Sequence, residues 1–417
     1  IHFMKNRFLS FFVVAIAAFS YGQNATLSPY SYYGFGQPAT ANTAENNMMG
    51  GITVYADSTH FSLDNPATLK KLDYVQYRVG ARYSSVEQTS SNGTAYTSAA
   101  SLNYLSLSVP TKFFAFSFGL KPKTSLGYRM SVTGQLDDLD TTTFYEGSGG
   151  VNTTFLGVAL SPFKGLSLGI MANYNFGFTE KVFTQNISGV QFDTQILTRS
   201  ELSGLNYVFG AHYDRRIKSK YILQLSATHT PQTSLESTNT RTVSPVSTTG
   251  GFGSQETIDL GSLANTSNKF SSETNLGAGF GVAHKWFVGV NYLNTSKGIK
   301  NPLEANINVK YEATSRLSVG GFYIPKYNSF TSYVSRMTYR VGARFEKTGL
   351  VLNNQPIEDF GITFGLGLPV GGLSKINIGV ELGQLGTLDD GLIKENYANI
   401  MLGFSLSDIW FIKRKYD

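Results

Sequence analysis

The stretch that decides the fold reads Leu166-Ser167-Leu168-Gly169-Ile170-Met171-Ala172-Asn173-Tyr174-Asn175-Phe176-Gly177-Phe178-Thr179. Leu166, Leu168, Ile170, Ala172, Tyr174, Phe176 and Phe178 share one face, and the residues between them share the other. Apolar residues recur at i, i+2 and i+4, which is the period of a strand and not of a helix. The run outlasts the usual soluble strand of about five or six residues and suits a tilted membrane span of about ten. Its second face is small, hydroxylated and glycine-rich, almost without charge. Ile376, Ile378, Val380 and Leu382 repeat the pattern against Asn377, Gly379, Glu381 and Gly383.

Working outward, this alternation begins at residue 73 and continues to about 407, enough for about fourteen strands. An antiparallel barrel with both chain ends on one side needs an even number, so residues 304–325 are read as one strand. Short basic turns, such as Pro162-Phe163-Lys164-Gly165 and Arg215-Arg216-Ile217-Lys218, alternate with predicted long loops at 123–149, 182–199 and 231–269. The expectation is an all-β protein, a transmembrane antiparallel β-barrel.

Composition agrees. Of 417 residues, 15% are charged and 41% hydrophobic, against about 25% charged in an average soluble domain. A mean hydropathy of −0.10 fits two opposed faces that cancel along each strand. The absence of cysteine excludes disulfides, iron–sulfur clusters and thiolate chemistry. The net charge of +6 sits largely at the ends. Lys5 and Arg7 contribute +2, and Lys413, Arg414, Lys415 and Asp417 another +2, leaving about +2 for the body. No basic patch of the kind that binds nucleic acid is present.

The chain divides into four predicted parts. Met4-Lys5-Asn6-Arg7 followed by the apolar run Phe8–Phe19 is laid out as a signal peptide over residues 1–22, cleaved before Gln23. Residues 23–72 lack alternation and read as an irregular N-terminal segment rich in small and polar residues. Residues 73–411 form the barrel, and 412–417 a basic tail.

Two strands carry nearly the same string, Tyr77-Arg78-Val79-Gly80-Ala81-Arg82-Tyr83 and Tyr339-Arg340-Val341-Gly342-Ala343-Arg344-Phe345. The alternation turns Arg78, Arg82, Arg340 and Arg344 into the lumen. There they form either a cationic ladder or, in the plainer reading preferred here, pairs with loop carboxylates.

Strings that look catalytic fail on context. Gly165-Leu166-Ser167-Leu168-Gly169 has the spacing of a nucleophile elbow, but it lies within a strand with no helix to follow. Gly277-Ala278-Gly279-Phe280-Gly281 also lacks the helix N-terminus that would receive a phosphate. The five histidines are scattered singly, without metal-ligand spacing. Asp137-Asp138-Leu139-Asp140 lacks an EF-hand register and reads as a solvated loop. Neither an enzyme nor a metal or cofactor site is expected.

The mature chain resembles the long-chain fatty-acid transporter family of outer-membrane proteins (FadL/TodX-like), which includes toluene and hydrocarbon channels, and in particular its Bacteroidetes branch. Ser28-Pro29-Tyr30-Ser31-Tyr32-Tyr33-Gly34-Phe35-Gly36 is similar to that branch's opening, with Tyr32 where Arg is usual. Asn65-Pro66-Ala67 matches the hatch signature. The Tyr339–Phe345 strand with the three that follow keeps the family's order, and Trp410–Asp417 resembles the branch's ending.

The resemblance implies fourteen strands, a plug at 23–72, and small hydrophobic ligands released sideways through a wall opening. It places the protein in the outer membrane of a Gram-negative bacterium, in contact with lipid. Passive uptake of fatty-acid-like or hydrocarbon compounds is the expected function. The alternative is a structural or partner-binding subunit of an outer-membrane secretion or assembly complex, since this lumen is more polar than a greasy pocket would be.

Overall fold

In the computed structural model, which describes residues 26–408 except 41, 219, 248–253, 299–300 and 304–307, the alternating segments pair into one antiparallel sheet that closes on itself. The predicted leader and basic tail lie outside the described residues.

The wall has fourteen strands. They are β1 (Val75–Ser90), β2 (Gly93–Pro110), β3 (Phe114–Leu136), β4 (Leu139–Phe163), β5 (Leu166–Ile187), β6 (Phe192–Ile217) and β7 (Tyr221–Thr230). The second half comprises β8 (Glu273–Val282), β9 (Trp286–Lys297), β10 (Ala313–Tyr323), β11 (Thr338–Leu352), β12 (Gln355–Gly371), β13 (Ser374–Leu385) and β14 (Lys394–Asp408). Pairing of β14 with β1, from Lys394↔Thr89 to Asp408↔Val75, closes the ring. Closure removes the open edges that a bilayer would not tolerate.

Period-two sequence sets the two faces. Phe116 and Phe118 on β3, Leu168 and Ile170 on β5, Val288 and Val290 on β9 and Phe364 on β12 point outward and are exposed. This is the apolar band expected of a lipid-facing wall. Inward positions are small or polar and buried, among them Ser117, Ser167, Asn173, Asn291, Thr363 and Asn377.

The outer loops differ from the sequence expectation. Residues 123–149 form a hairpin that prolongs β3 and β4 to a tight turn at Asp137-Asp138, both with positive φ. Residues 182–199 likewise extend β5 and β6. Thr233–Ser247 pairs with the outer half of β6, and Glu256–Ile258 and Asn265–Phe270 pair with it in turn. These extensions rise beyond the bilayer, where both faces meet water and the apolar–polar contrast that marks a span disappears. Of the span 304–325, residues 304–307 lie outside the described residues; Val309–Tyr311 leads into β10, and both pair with β11.

Residues 26–72 pack inside the barrel. Pro29–Tyr32 and Pro66–Lys71 are 3₁₀ turns and Ala44–Asn47 a single α-helical turn. Met48, Ile52, Val54, Phe61, Leu63 and Leu69 are completely buried against the wall.

Candidate functional site

The wall is incomplete at one place. β2 and β3 pair only from Pro110↔Ala115 to Leu105↔Leu120, although both strands run on toward the outer end. β2 continues to pair with β1 up to Ser90↔Gly93, and β3 with β4 up to Leu136↔Leu139. At the level where the ladder stops, each strand carries a bulge. Asn103 is the extra residue on β2, between Gly80↔Tyr104 and Ala81↔Leu102. Lys123 is the extra residue on β3, between Pro122↔Asn152 and Thr124↔Val151. A bulge bends its strand and increases its twist, so two facing bulges steer the strands apart. Pro122 adds a position with no N–H to donate.

The N-terminal segment covers the β3 side of this seam. Gln37 pairs with Ser125 and Pro38 with Thr124. Ala39 N donates to Lys123 O at 2.9 Å. Ser31 Oγ donates to Gly127 O at 2.8 Å, and Gly127 N donates back to Ser31 Oγ at 3.0 Å. Gly36, at φ +96°, lies so close to Ser125 O that an added Cβ would meet it at 2.6 Å, which is why a left-handed, side-chain-free residue is required there. On the β2 side Tyr104 turns inward across Gly80, and its hydroxyl accepts from Ala44 N at 3.0 Å.

Deeper in the lumen, Asn65-Pro66-Ala67 opens a capped turn that lies against the wall. Asn65 caps the 3₁₀ turn, its Oδ1 accepting from Ala67 N at 3.1 Å, with Pro66 at the first position, where its fixed φ is already helical. Asn65 Nδ2 donates to Ala211 O on β6. Gly169 and Gly210 on the facing strands leave room for this turn. A Cβ on Gly169 would sit 2.6 Å from Ala67 N. The Gly165–Gly169 string therefore records a close approach between plug and wall; Ser167 Oγ only shares a hydrogen bond with Ser161 Oγ at 2.9 Å.

The four arginines do not act as a set. Arg78 reaches Glu45 of the N-terminal segment at 3.4 Å and the carbonyl of Thr59. Arg82 pairs with Glu381 at 3.1 Å and donates to Thr40 Oγ1. Arg344 joins Glu381 at 2.7 Å, Asp359 at 2.8 Å and Glu346 at 3.4 Å. Arg340 has Asn377 Oδ1 at 3.0 Å and no carboxylate within ion-pair distance among the described residues. The paired acids come from wall strands and the N-terminal segment, not from loops.

Burial pushes the Glu45 carboxyl up, but the neighbouring Arg78, His60 and Arg340 outweigh it and hold it well below the usual carboxylate range. Burial, reinforced by Arg78, pushes the His60 imidazole down to about 3.

The sequence matches the family model described as BamG over residues 4–417. The chain belongs to the BamG family. No curated protein matches it by sequence.

Solved structures resemble this BamG-family barrel in fold. The Pseudomonas putida toluene transporter TodX is 17% identical, with a TM-score of 0.56 over 87% of this chain and 97% of that one. The Ralstonia pickettii toluene transporter TbuX is 12% identical, with a TM-score of 0.54 over 88% and 98%. A Pseudomonas aeruginosa FadL homologue is 14% identical, with a TM-score of 0.50 over 89% and 98%. At these identities the likeness establishes the FadL-type barrel as the architecture and nothing finer.

Within this BamG-family chain, the Ser28–Gly36 string packs against the outer part of the wall. Ser28 Oγ donates to Glu395 Oε2 at 2.9 Å. Tyr30 packs with Leu352, Ile357 and Leu385, and Phe35 packs with Val151, Leu202 and Leu235. Lys181 Nζ lies 4.9 Å from the ring centroid of Tyr32 and donates to its carbonyl at 2.6 Å. A cation is thus present at this position, supplied by β5. Sequence reasoning missed the seam. Its available signals were Pro122 in a strand and the small residues Gly34 and Gly36 opposite it.

Proposed function

We propose that this BamG-family barrel is an outer-membrane channel for passive passage of small hydrophobic compounds, gated by the hatch at residues 23–72. The observation that carries this reading is the β2–β3 seam, an interruption of the wall at the outer edge of the apolar band, covered by hatch residues 31–39. Lipid-soluble cargo leaving through such a seam would never cross water. The hatch motif Asn65, Pro66 and Ala67 serves as the fixed end about which the 31–39 portion moves. The leader, the opening string and the closing string support export to the outer membrane of a Gram-negative, Bacteroidetes-type cell.

The test uses the absence of native cysteine. Gln37 and Ser125 are registered partners, a separation that suits a disulfide. The expected result for Gln37→Cys/Ser125→Cys is loss of toluene or fatty-acid uptake when oxidised and recovery on reduction. Uptake that is unchanged in the oxidised variant and in a deletion strain overturns the reading.

A second reading, a partner-binding subunit of an outer-membrane secretion or assembly complex, is favoured by one feature. Along its outer half β2 presents an edge with no β3 partner, which another chain's strand could extend. Recovery of the monomer alone from membranes dissolved in mild detergent would remove it.

A further inference from the structure

Between the N-terminal segment and the short-turn end of the wall lies a cavity of about 380 Å³, far from the seam and within the size range of small-ligand sites. Its walls are of two kinds. Tyr74, Phe322 and Tyr327 supply aromatic surface, and Arg336, Arg340 and Lys375 supply cations.

Arg340 is the unusual member. It is only 8% exposed, yet among the described residues one of its five donors is used, by Asn377 Oδ1. By contrast Arg78, Arg82, Arg316 and Arg344 each meet a carboxylate. Lys375 likewise forms no hydrogen bond or ion pair among the described residues. The acids that line the cavity are Glu45 and Asp57; both accept hydrogen bonds, and Glu45 Oε2 is left without a partner among the described residues. Glu45 Oε1 accepts from Ser405 at 2.8 Å and faces Arg78. Asp57 accepts from Thr59 N at 2.7 Å and from the Tyr55 hydroxyl. With Arg78 balancing Glu45 and Asp57 balancing one lining cation, two of the three lining cations remain uncompensated. A buried guanidinium with unused donors beside a second cation favours a planar or tetrahedral oxyanion.

We propose that this cavity binds an anionic oxyacid group, carboxylate or phosphate, on Arg340 and Lys375, with an attached apolar portion held against Tyr74, Phe322 and Tyr327. The site goes beyond the channel reading and does not depend on whether the barrel transports.

Calorimetry on the full-length protein in neutral maltoside micelles tests it with octyl phosphate, inorganic phosphate and octanol. Octyl phosphate is expected to bind saturably at one site, and octanol only to partition. Arg340→Gln should weaken octyl phosphate at least tenfold and Lys375→Gln several-fold. Arg129→Gln should leave it unchanged, since that side chain is 79% exposed on the outer part of β3. If Arg340→Gln fails to fold, Lys375→Gln carries the test. Inorganic phosphate binding as tightly as octyl phosphate upholds the anion site and assigns it to a free anion. Indistinguishable titrations of octyl phosphate and octanol, or full affinity in both cavity variants, overturn the proposal.

Discussion

At the scale of single residues, Glu45 and Arg78 fasten the plug to the wall. They are 4% and 1% exposed, so neither charge has water to fall back on. Glu45→Ala would strand Arg78 as an uncompensated buried cation, a change that costs about 3–5 kcal/mol. The expected outcome is a lower denaturant midpoint in vesicles, with Glu45→Gln intermediate because the amide keeps the Ser405 hydrogen bond. The neighbouring His60 gives a pH dependence of definite sign. His60 is depressed from 6.5 to about 3, so the unfolded segment takes up a proton below pH 6.5 that the packed segment refuses. Stability is therefore lost as pH falls through that window. Glu45, depressed from 4.5, contributes stability above that value and adds a further loss below it. Amide exchange of residues 44–60, corrected for intrinsic rates, should accelerate from pH 7 to 5. His60→Gln should abolish that acceleration, since Glu45 remains charged throughout; an unchanged slope would refute the assignment.

At the scale of elements, the plug and wall fit through glycine. Gly320 and Gly342 on β10 and β11 pack against the Met49-Gly50 backbone, and Gly365 and Gly379 on β12 and β13 against Met48. A Cβ on Gly342 would collide with the backbone of Met49 and Gly50, which cannot swing aside as a side-chain tip can. Overpacking of this kind costs about 1–3 kcal/mol or more. Gly342→Ala should thus loosen the N-terminal segment while the wall, paired independently of it, persists. The measurement is limited proteolysis that removes residues 26–72 while the folded barrel's fast gel mobility is retained. Gly371→Ala, with nothing within 4 Å of its Cβ, is the silent control. These glycines were visible in the sequence only as a small-residue lumen face. Alternation reveals which way Gly342 points, but not that another segment's backbone lies beneath it. The seam was hidden for a related reason. A bulge such as Asn103 shifts register by one residue without changing composition, and pairing between strands leaves no trace in one strand's own pattern. By contrast, Leu166–Thr179 announced its lipid and lumen faces directly, because the bilayer imposes the contrast that period two displays.

At the scale of the whole molecule, the wall closes by pairing that does not run through the N-terminal segment. Each wall strand hydrogen-bonds two wall neighbours for at least part of its length, so closure does not require residues 26–72. Those residues do fill the bore, from Tyr30 and Phe35 at the outer end to Met48, Phe61 and Leu69 below. Removing them would leave a water-filled pore lined by Ser, Asn, Gly and ionised wall residues. Eight wall cations named by their lumenal contacts (Arg78, Arg82, Lys121, Lys181, Arg316, Arg340, Arg344, Lys375) then face five acids (Asp214, Glu346, Asp359, Glu381, Glu395), an excess of +3. Counter-ions concentrate in a low-dielectric channel of one sign, so the pore should prefer anions. In planar bilayers the intact protein is expected to be nearly silent. The variant lacking 26–72 should conduct, with a reversal potential in a KCl gradient displaced toward chloride. A folded variant that stays closed would mean the wall itself collapses inward, and cation preference would mean that Asp359, Glu381 and Glu395 dominate once their partners Arg82, Arg344 and Ser28 are hydrated or absent.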